Sequence, residues 1–375
     1  MLTETDVLAS LVAQVKDAAA SRTPLRIRGG GSKDFYGQAL EGEILDTTAY
    51  SGVISYEPSE LVVTARAGTP LAELEALLAA QGQCLPFEPP HFGDANARAT
   101  VGGMVASGLS GPARASVGAV RDYMLGLKLI NGRGEELTFG GQVMKNVAGY
   151  DVSRLMAGSL GTLGLLTELS IKVLPVAPAE ATLKFEMSQA QALEQLHAWG
   201  GQPLPLNASC WVDNAGVSTL YLRLRGAVAA VEAACKSLGG ERLDNSAAVP
   251  DWSLCRNQQL PWFLARGQNG KGGDLWRLSV PQTATVLDLP ELPLVEWHGA
   301  QRWVRAAPED APRLREAAAR AGGHATRFIA CGDPAIRVVG RFDSLKPPLD
   351  RIHRQLKKEF DPAGIFNPGR LYPDF

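Results

Sequence analysis

Residues 101–112 read VGGMVASGLSGP, and together with RGGGSK at 28–33 and AGSLGTLGLLTE at 157–168 they decide how this chain is read. Glycine has no Cβ, so a main chain built from it can come close to a phosphate, and successive N–H groups can form an anion-binding nest. One such cluster is a tight turn as readily as a ligand loop. Three in the first half of one chain point to a common diphosphate, with Arg28 and Lys33 adding positive charge beside the first. Two familiar phosphate loops are excluded. After Gly31 comes Ser-Lys-Asp-Phe-Tyr with no helix signal, so the dinucleotide fingerprint G-x-G-x-x-G is not met. Around Gly270-Lys271 the Walker pattern fails, because Gly272 stands where Ser or Thr belongs and Ala265 where the first glycine belongs.

The flanking segments supply the scaffold. Val7, Leu8, Leu11, Val12 and Val15 recur at helical spacing and predict an amphipathic opening helix that Pro24 stops. Leu25 to Arg28 alternates as a strand and delivers the first glycine loop. Strands are expected at Glu43 to Asp46 and Leu61 to Arg66, then a helix from Pro70 to Ala80 with Thr69 as N-cap and Gly82 closing it. From Pro86 to Gly118 the chain reads as a long loop. Such loops usually bind something, and Val101, Met104, Val105 and Leu109 argue for order there. Leu125, Leu127 and Leu129, the Asn131-to-Gly134 turn and Glu136 to Phe139 form a hairpin, and Leu165 to Leu174 is a further strand. Beyond Pro178 helices (Ala190 to Trp199, Ala227 to Leu238, Pro347 to Phe360) mix with strands (Ser218 to Arg225, Leu275 to Val280) without βαβ alternation. The expected class is therefore α+β, with one domain over 1–178 and a second α+β, cap-like domain over 179–375.

With 375 residues, 45% hydrophobic and 20% charged, the chain has the material for two or three packed domains. A formal charge of −2 provides no positive field for nucleic acid. Cys84, Cys210, Cys235, Cys255 and Cys331 are widely spaced with no C-x-x-C pair, which excludes a recognisable iron–sulfur or zinc-ribbon motif and suits a reducing compartment. Glu4 and Asp6 stand where a secretory signal would be basic, and the apolar run Leu155 to Leu174 is broken by Glu168 and Lys172. The expectation is a cytoplasmic protein, any membrane attachment coming through a partner.

The ordered set RGGGS, ARATVGGMVASGLSGPARASVGAVRDYMLGLKLINGRGE (97–135), KNVAGYDVSRLMAGSLGTLGLLTELSIKVLP (145–175) and the closing FDPAGIFNPGRL (360–371) resembles the FAD-binding domain of the vanillyl-alcohol oxidase/PCMH-type flavoprotein superfamily. Within it the resemblance is to its 2-hydroxy-acid branch, and especially to the FAD-binding subunits of multi-subunit bacterial glycolate oxidases; length and the GGHATRF stretch at 322–328 fit. The resemblance implies a PCMH-type FAD-binding domain of two α+β subdomains. Arg28, Gly29, Gly30, Gly31, Ser32 and Lys33 would hold the pyrophosphate, with Thr100, Gly102, Gly103, Ser107, Gly111 and Pro112 lining ADP and flavin from the other side. Leu165 would lie in a strand meeting the cofactor and Asn367 near the flavin edge, the C-terminal segment returning to the flavin. Covalent members carry His directly after the glycine run; here Ser32 occupies that place, so non-covalent FAD is expected. The implied partners are a second flavin subunit, an iron–sulfur subunit and glycolate or a related 2-hydroxy acid, with electrons passing on toward quinone.

Catalytic members of that branch carry a His-rich metal-binding stretch. Here His91, His197, His298, His324 and His353 stand singly, and CGDPAIR with Asp333 lacks both histidines of the pattern. A general base near neutral pH is sensibly a histidine, and a metal needs several convergent ligands. The expected division of labour places substrate oxidation on a sister subunit. The alternatives are a self-sufficient 2-hydroxy-acid dehydrogenase with an unidentified base, a scaffold whose flavin pocket has lapsed, and an NADPH-using cell-wall reductase of the same superfamily. Lys145, Asn146, Tyr150 and Asp151 suggest a structural loop near the flavin. Arg121-Asp122 suggests a local ion pair, and Trp252, Trp262, Trp276, Trp297 and Trp303 core or interface anchors.

Overall fold

The computed structural model describes residues 3–38, 40–93, 98–141, 151–214, 216–265, 273–331 and 340–375, and the chain divides into two compact units. The first comprises Met1–Leu109, Ala119–Val176 and Ser344–Phe375; the second comprises Ser110–Gly118 and Ala177–Asp343. Both mix helices with sheets in the α+β manner.

Helix Glu4–Ser21 opens the first unit on a capping box: the Thr3 hydroxyl accepts from the Asp6 N–H at 3.2 Å and the Asp6 carboxylate from the Thr3 N–H at 2.9 Å. Its inner face, Leu11, Val15 and Ala18, packs with Leu25, Leu45, Leu165, Ile365 and Phe366. Strand Leu25–Arg28 pairs in parallel with Glu43–Asp46. The main sheet is antiparallel, in the order Val53–Glu57, Val62–Arg66, Leu165–Lys172, Met124–Ile130, Glu136–Gly140. Helices Leu71–Ala79 and Val101–Ser107 pack against it through Leu71, Leu74, Leu78, Val101, Met104 and Val105.

Several local expectations change. Residues 86–118 are not a plain loop, because Val101–Ser107 and Arg114–Val117 are helical. Each interior glycine costs a helix about 1 kcal/mol relative to alanine, but Val101, Met104 and Val105 fall at i, i+3 and i+4 and are fully buried, and that burial prevails. The second helix begins at Leu71 with Pro70 as its N-cap residue, since Thr69 Oγ1 is engaged with the main chain of Gly52. Leu61 is left-handed, so its strand starts at Val62, and strand Val53–Glu57 beside it is an addition to the reading. Asp122 accepts from the Ala119 N–H at 2.8 Å in a tight turn, in place of the ion pair expected with Arg121.

The second unit is built on an eight-stranded antiparallel sheet. Its order is Glu241–Leu243, Ala179–Glu186, Val217–Gly226, Leu206–Asn214, Leu294–Glu296, Gln301–Ala306, Asp274–Ser279, His324–Ile329. Helices Gln189–Gly200 and Val228–Leu238 cover a core that includes Trp199, Trp211 and Leu222. Side chains alternate along a strand, so Cys210 and Val212 point away from that core, toward helix Asn245–Arg256. Trp252, Trp276, Trp297 and Trp303 are all buried in this unit. Among the described residues no helix is long and apolar enough to cross a membrane.

Candidate functional site

Within the first unit, the first and third glycine stretches meet the helix formed by residues 101–107 of the second stretch. A Cβ on Gly30 would lie 1.7 Å from the Arg98 carbonyl oxygen and one on Gly29 2.4 Å from Thr100 Oγ1, so the chain's own packing requires glycine at both. Thr100 caps helix Val101–Ser107, its hydroxyl accepting from the Gly103 N–H at 3.2 Å. The far end of that helix meets the third stretch, where the Gly158 N–H donates to Val105 O at 3.0 Å and the Leu160 N–H to Ala106 O at 2.8 Å.

Asn367 ties the third stretch back to the first. Its Oδ1 accepts from the Ile27 N–H at 2.7 Å, its Nδ2 donates to Leu160 O at 2.6 Å, and its own N–H donates to Leu25 O at 2.8 Å. Gly161 lies beneath it, where a Cβ would come within 2.7 Å of that amide nitrogen. Asn367 is thus a clamp, its amide oxygen on one segment and its amide nitrogen on the other.

Main-chain donors separate the candidates. The N–H groups of Val101, Gly102 and Met104 go to Thr69 O, Ala67 O and Thr100 O. With the Gly103 N–H on Thr100 Oγ1, the donors of this helix start are taken up within the chain. The N–H groups of Gly30, Gly31 and Ser32 donate to no described acceptor. Successive main-chain N–H groups of this kind can form an anion-binding nest.

Charge around that loop is partly balanced. Asp34 accepts from Arg26 at 2.5 Å and from Arg28 Nε at 2.9 Å, and the Arg28 guanidinium lies over Gly31. Lys33 Nζ reaches Ser32 Oγ and His91 O, both at 3.3 Å, and lies 5.9 Å from the Phe92 ring centre. Arg370, buried, spans the turn that follows, donating to Gln38 O, Lys33 O and Asp34 O. Lys357 secures the C-terminal segment through Thr162 O (2.7 Å), Phe366 O (2.8 Å) and Asp361 (2.8 Å). Burial pushes its ammonium below the ordinary lysine range, with Asp361 opposing. Asp34, Lys357, Asp361 and Arg370 escape a reading by residue type, although the last two lie inside the quoted C-terminal motif.

Of the remaining candidates, Ser107 is buried with its hydroxyl on Met104 O. Leu165 is buried and pairs with Ile130, its side chain in the core shared with the first helix. Gly111 and Pro112 belong to the second unit, where Gly111 O accepts from Trp297 Nε1 at 3.0 Å. Lys145, Asn146, Tyr150, Asp333 and the Gly270 to Gly272 run lie outside the described residues. The His91 ring contacts the Glu75 carboxylate at 2.9 Å. His298 is sealed between Ser116 Oγ (2.8 Å) and Ser209 Oγ (3.1 Å), and burial pushes it down to about 4.

A family described as FAD binding domain matches residues 6–140. The chain is 48% identical over 374 residues to glycolate oxidase subunit GlcE of Escherichia coli (strain K12), covering 100% of both. It is 26% identical over 413 residues to a D-lactate dehydrogenase of Archaeoglobus fulgidus, covering 95% of this chain and 88% of that one. Among solved structures, p-cresol methylhydroxylase with substrate bound is similar in fold, with a TM-score of 0.68 at 15% identity over 98% of this chain and 87% of that one.

Proposed function

This chain belongs to the family of glycolate oxidase subunit GlcE, and from that premise we propose that it is the FAD-holding subunit of a complex oxidising glycolate to glyoxylate. Bound FAD supplies an acceptor for two electrons that can pass them on singly. The carrying observation is the convergence of three glycine stretches on a loop whose N–H groups at Gly30, Gly31 and Ser32 are unspent among the described residues. Residues 28–33 hold the pyrophosphate, the arginine and lysine contributing charge. Thr100, Gly102, Gly103 and Ser107 shape the wall opposite, and Leu165 and Asn367 hold the strand and turn that back it. Gly111 and Pro112 belong to the second unit. Ser32 offers no imidazole for a bond to the flavin, so the cofactor is held without a covalent link.

The histidines of the chain support a division of labour. His298 has both ring nitrogens taken up by serine hydroxyls and presents no ready base. Substrate deprotonation then belongs to a second flavin subunit, and an iron–sulfur subunit carries electrons toward quinone at the inner membrane. Purification with and without the partner subunits tests this. The chain alone is expected to be yellow, to release its colour to the supernatant on acid precipitation, and to stay oxidised under anaerobic glycolate until the second flavin subunit is added. Colourless protein that takes up no FAD overturns the reading, and bleaching of the isolated chain by glycolate moves the substrate site onto this subunit.

A further inference from the structure

The second unit holds a cavity of about 230 Å³ between the sheet and helix Asn245–Arg256, and nothing in the flavin reading uses it. Its walls carry three aromatic side chains, Tyr221, Trp252 and Trp262. They are held firmly. Trp252 Nε1 donates to Thr182 Oγ1 at 3.0 Å, and Trp262 starts an edge-to-face series through Phe263, Trp303 and Phe328 with centroids 5.0–5.6 Å apart. Rings fixed in this way leave a preformed slot with well-placed polar groups, the usual make-up of a small-molecule site.

Charge narrows the occupant. The lining contains no Lys, Arg or His among the described residues and one carboxylate, that of Asp251. Behind Cys255, whose thiol donates to Glu296 at 3.1 Å, lies a second, buried carboxylate held by Gln301 and Trp303. Neighbouring cations are engaged elsewhere. Lys184, which acts on Tyr221 by its charge, is 3.2 Å from Glu241, and Arg223 lies over the Trp252 ring and gives its Nε to Asn207 at 2.6 Å. A carboxylate or phosphate entering here would lose water without meeting a counter-charge, which is strongly unfavourable. A neutral ring would stack on the aromatic walls and find the Tyr221 and Thr182 hydroxyls for one polar substituent.

We propose that this cavity binds an uncharged ring compound bearing a hydroxyl or carbonyl group and rejects carboxylates, so that it serves a ligand other than the hydroxy acid. Tyr221 stays protonated there, because burial raises its phenol above the ordinary range. The test uses fluorine NMR on the full-length, FAD-loaded chain with two matched probes at neutral pH, 4-fluorophenol (neutral) and 4-fluorobenzoate (anionic). The phenol is expected to broaden and shift with at least ten times the affinity of the benzoate. Ala248→Phe, which fills the slot from the helix, is expected to weaken the phenol at least tenfold. Asp251→Lys, on the exposed face of the same helix, is expected to narrow the preference at least fivefold, and it decides the matter if the filled variant does not fold. Equal binding of both probes, no binding of the phenol, phenol binding that survives Ala248→Phe in folded protein, or a preference unmoved by Asp251→Lys each overturns the proposal. None of these readings depends on glycolate turnover.

Discussion

Asn367 has φ +41°, in the left-handed region that asparagine tolerates better than most residues, and its side-chain amide bridges two segments distant in sequence. Asn367→Ala leaves the Ile27 N–H and the Leu160 carbonyl without a partner in a buried setting. A loss of about 2–3 kcal/mol is expected in denaturant unfolding, with weaker FAD retention on gel filtration. His298 makes a pH prediction. The Ser209 hydroxyl accepts from the His298 main-chain N–H, and the ring is held between the Ser209 hydroxyl at Nδ1 and the Ser116 hydroxyl at Nε2. This arrangement suits the neutral ring, and burial lowers the folded value to about 4 from an ordinary 6.5. The unfolded chain takes up a proton as pH falls through 6.5 while the folded chain does not. Stability is complete above that point and declines toward pH 4, by up to about 3 kcal/mol. Unfolding curves at pH 7 and pH 4.5 measure the decline, and His298→Gln is expected to flatten it.

Helix Leu349–Phe360 is docked through Lys357, and its dependence on that one residue is open to experiment. Lys357→Met removes the donor to two carbonyl oxygens and the counter-charge of buried Asp361. About 3–5 kcal/mol is the expected cost, read as a lowered unfolding midpoint, with Lys357→Arg recovering only part. Thr100→Ala uncaps helix Val101–Ser107 and is expected to cost about 1 kcal/mol, with a matching fall in thermal midpoint. Sequence legibility divides along the same lines. The hairpin of Met124–Ile130 and Glu136–Gly140 is readable because Leu125, Leu127 and Leu129 alternate and Asn131-Gly132 marks a turn. Helix Val101–Ser107 is masked by glycines whose purpose is packing against Ala67 and Thr100. The glycine clusters are visible in composition, but where their N–H groups go is not, since the helix-start donors end on carbonyl oxygens of Ala67 and Thr69. Lys357 and Arg370 address main-chain carbonyls too. Every residue carries a carbonyl, so no pattern of side chains announces such a partner.

The chain passes between the two units four times, at 109/110, 118/119, 176/177 and 343/344. A cut that follows the sequence halves therefore separates parts of one core. Residues 1–178 expressed alone lack Ile365 and Phe366, which pack on Leu11, Val15 and Leu25, and lack the Ile365 carbonyl that accepts from the Leu25 N–H at 2.7 Å. The piece is expected to show no cooperative unfolding transition and no FAD binding, and adding residues 344–375 through a flexible linker is expected to restore both. Calorimetry with a flavin absorbance spectrum on each version makes the comparison.

The Asn367 clamp also sets a clock. The strand that delivers the loop at 28–33 is synthesised well before the residue that locks it to the third glycine stretch, Ile27 and Asn367 standing 340 positions apart. A nascent chain that has not yet reached Asn367 lacks that lock, and stalled or prematurely terminated chains are left with the two stretches untied.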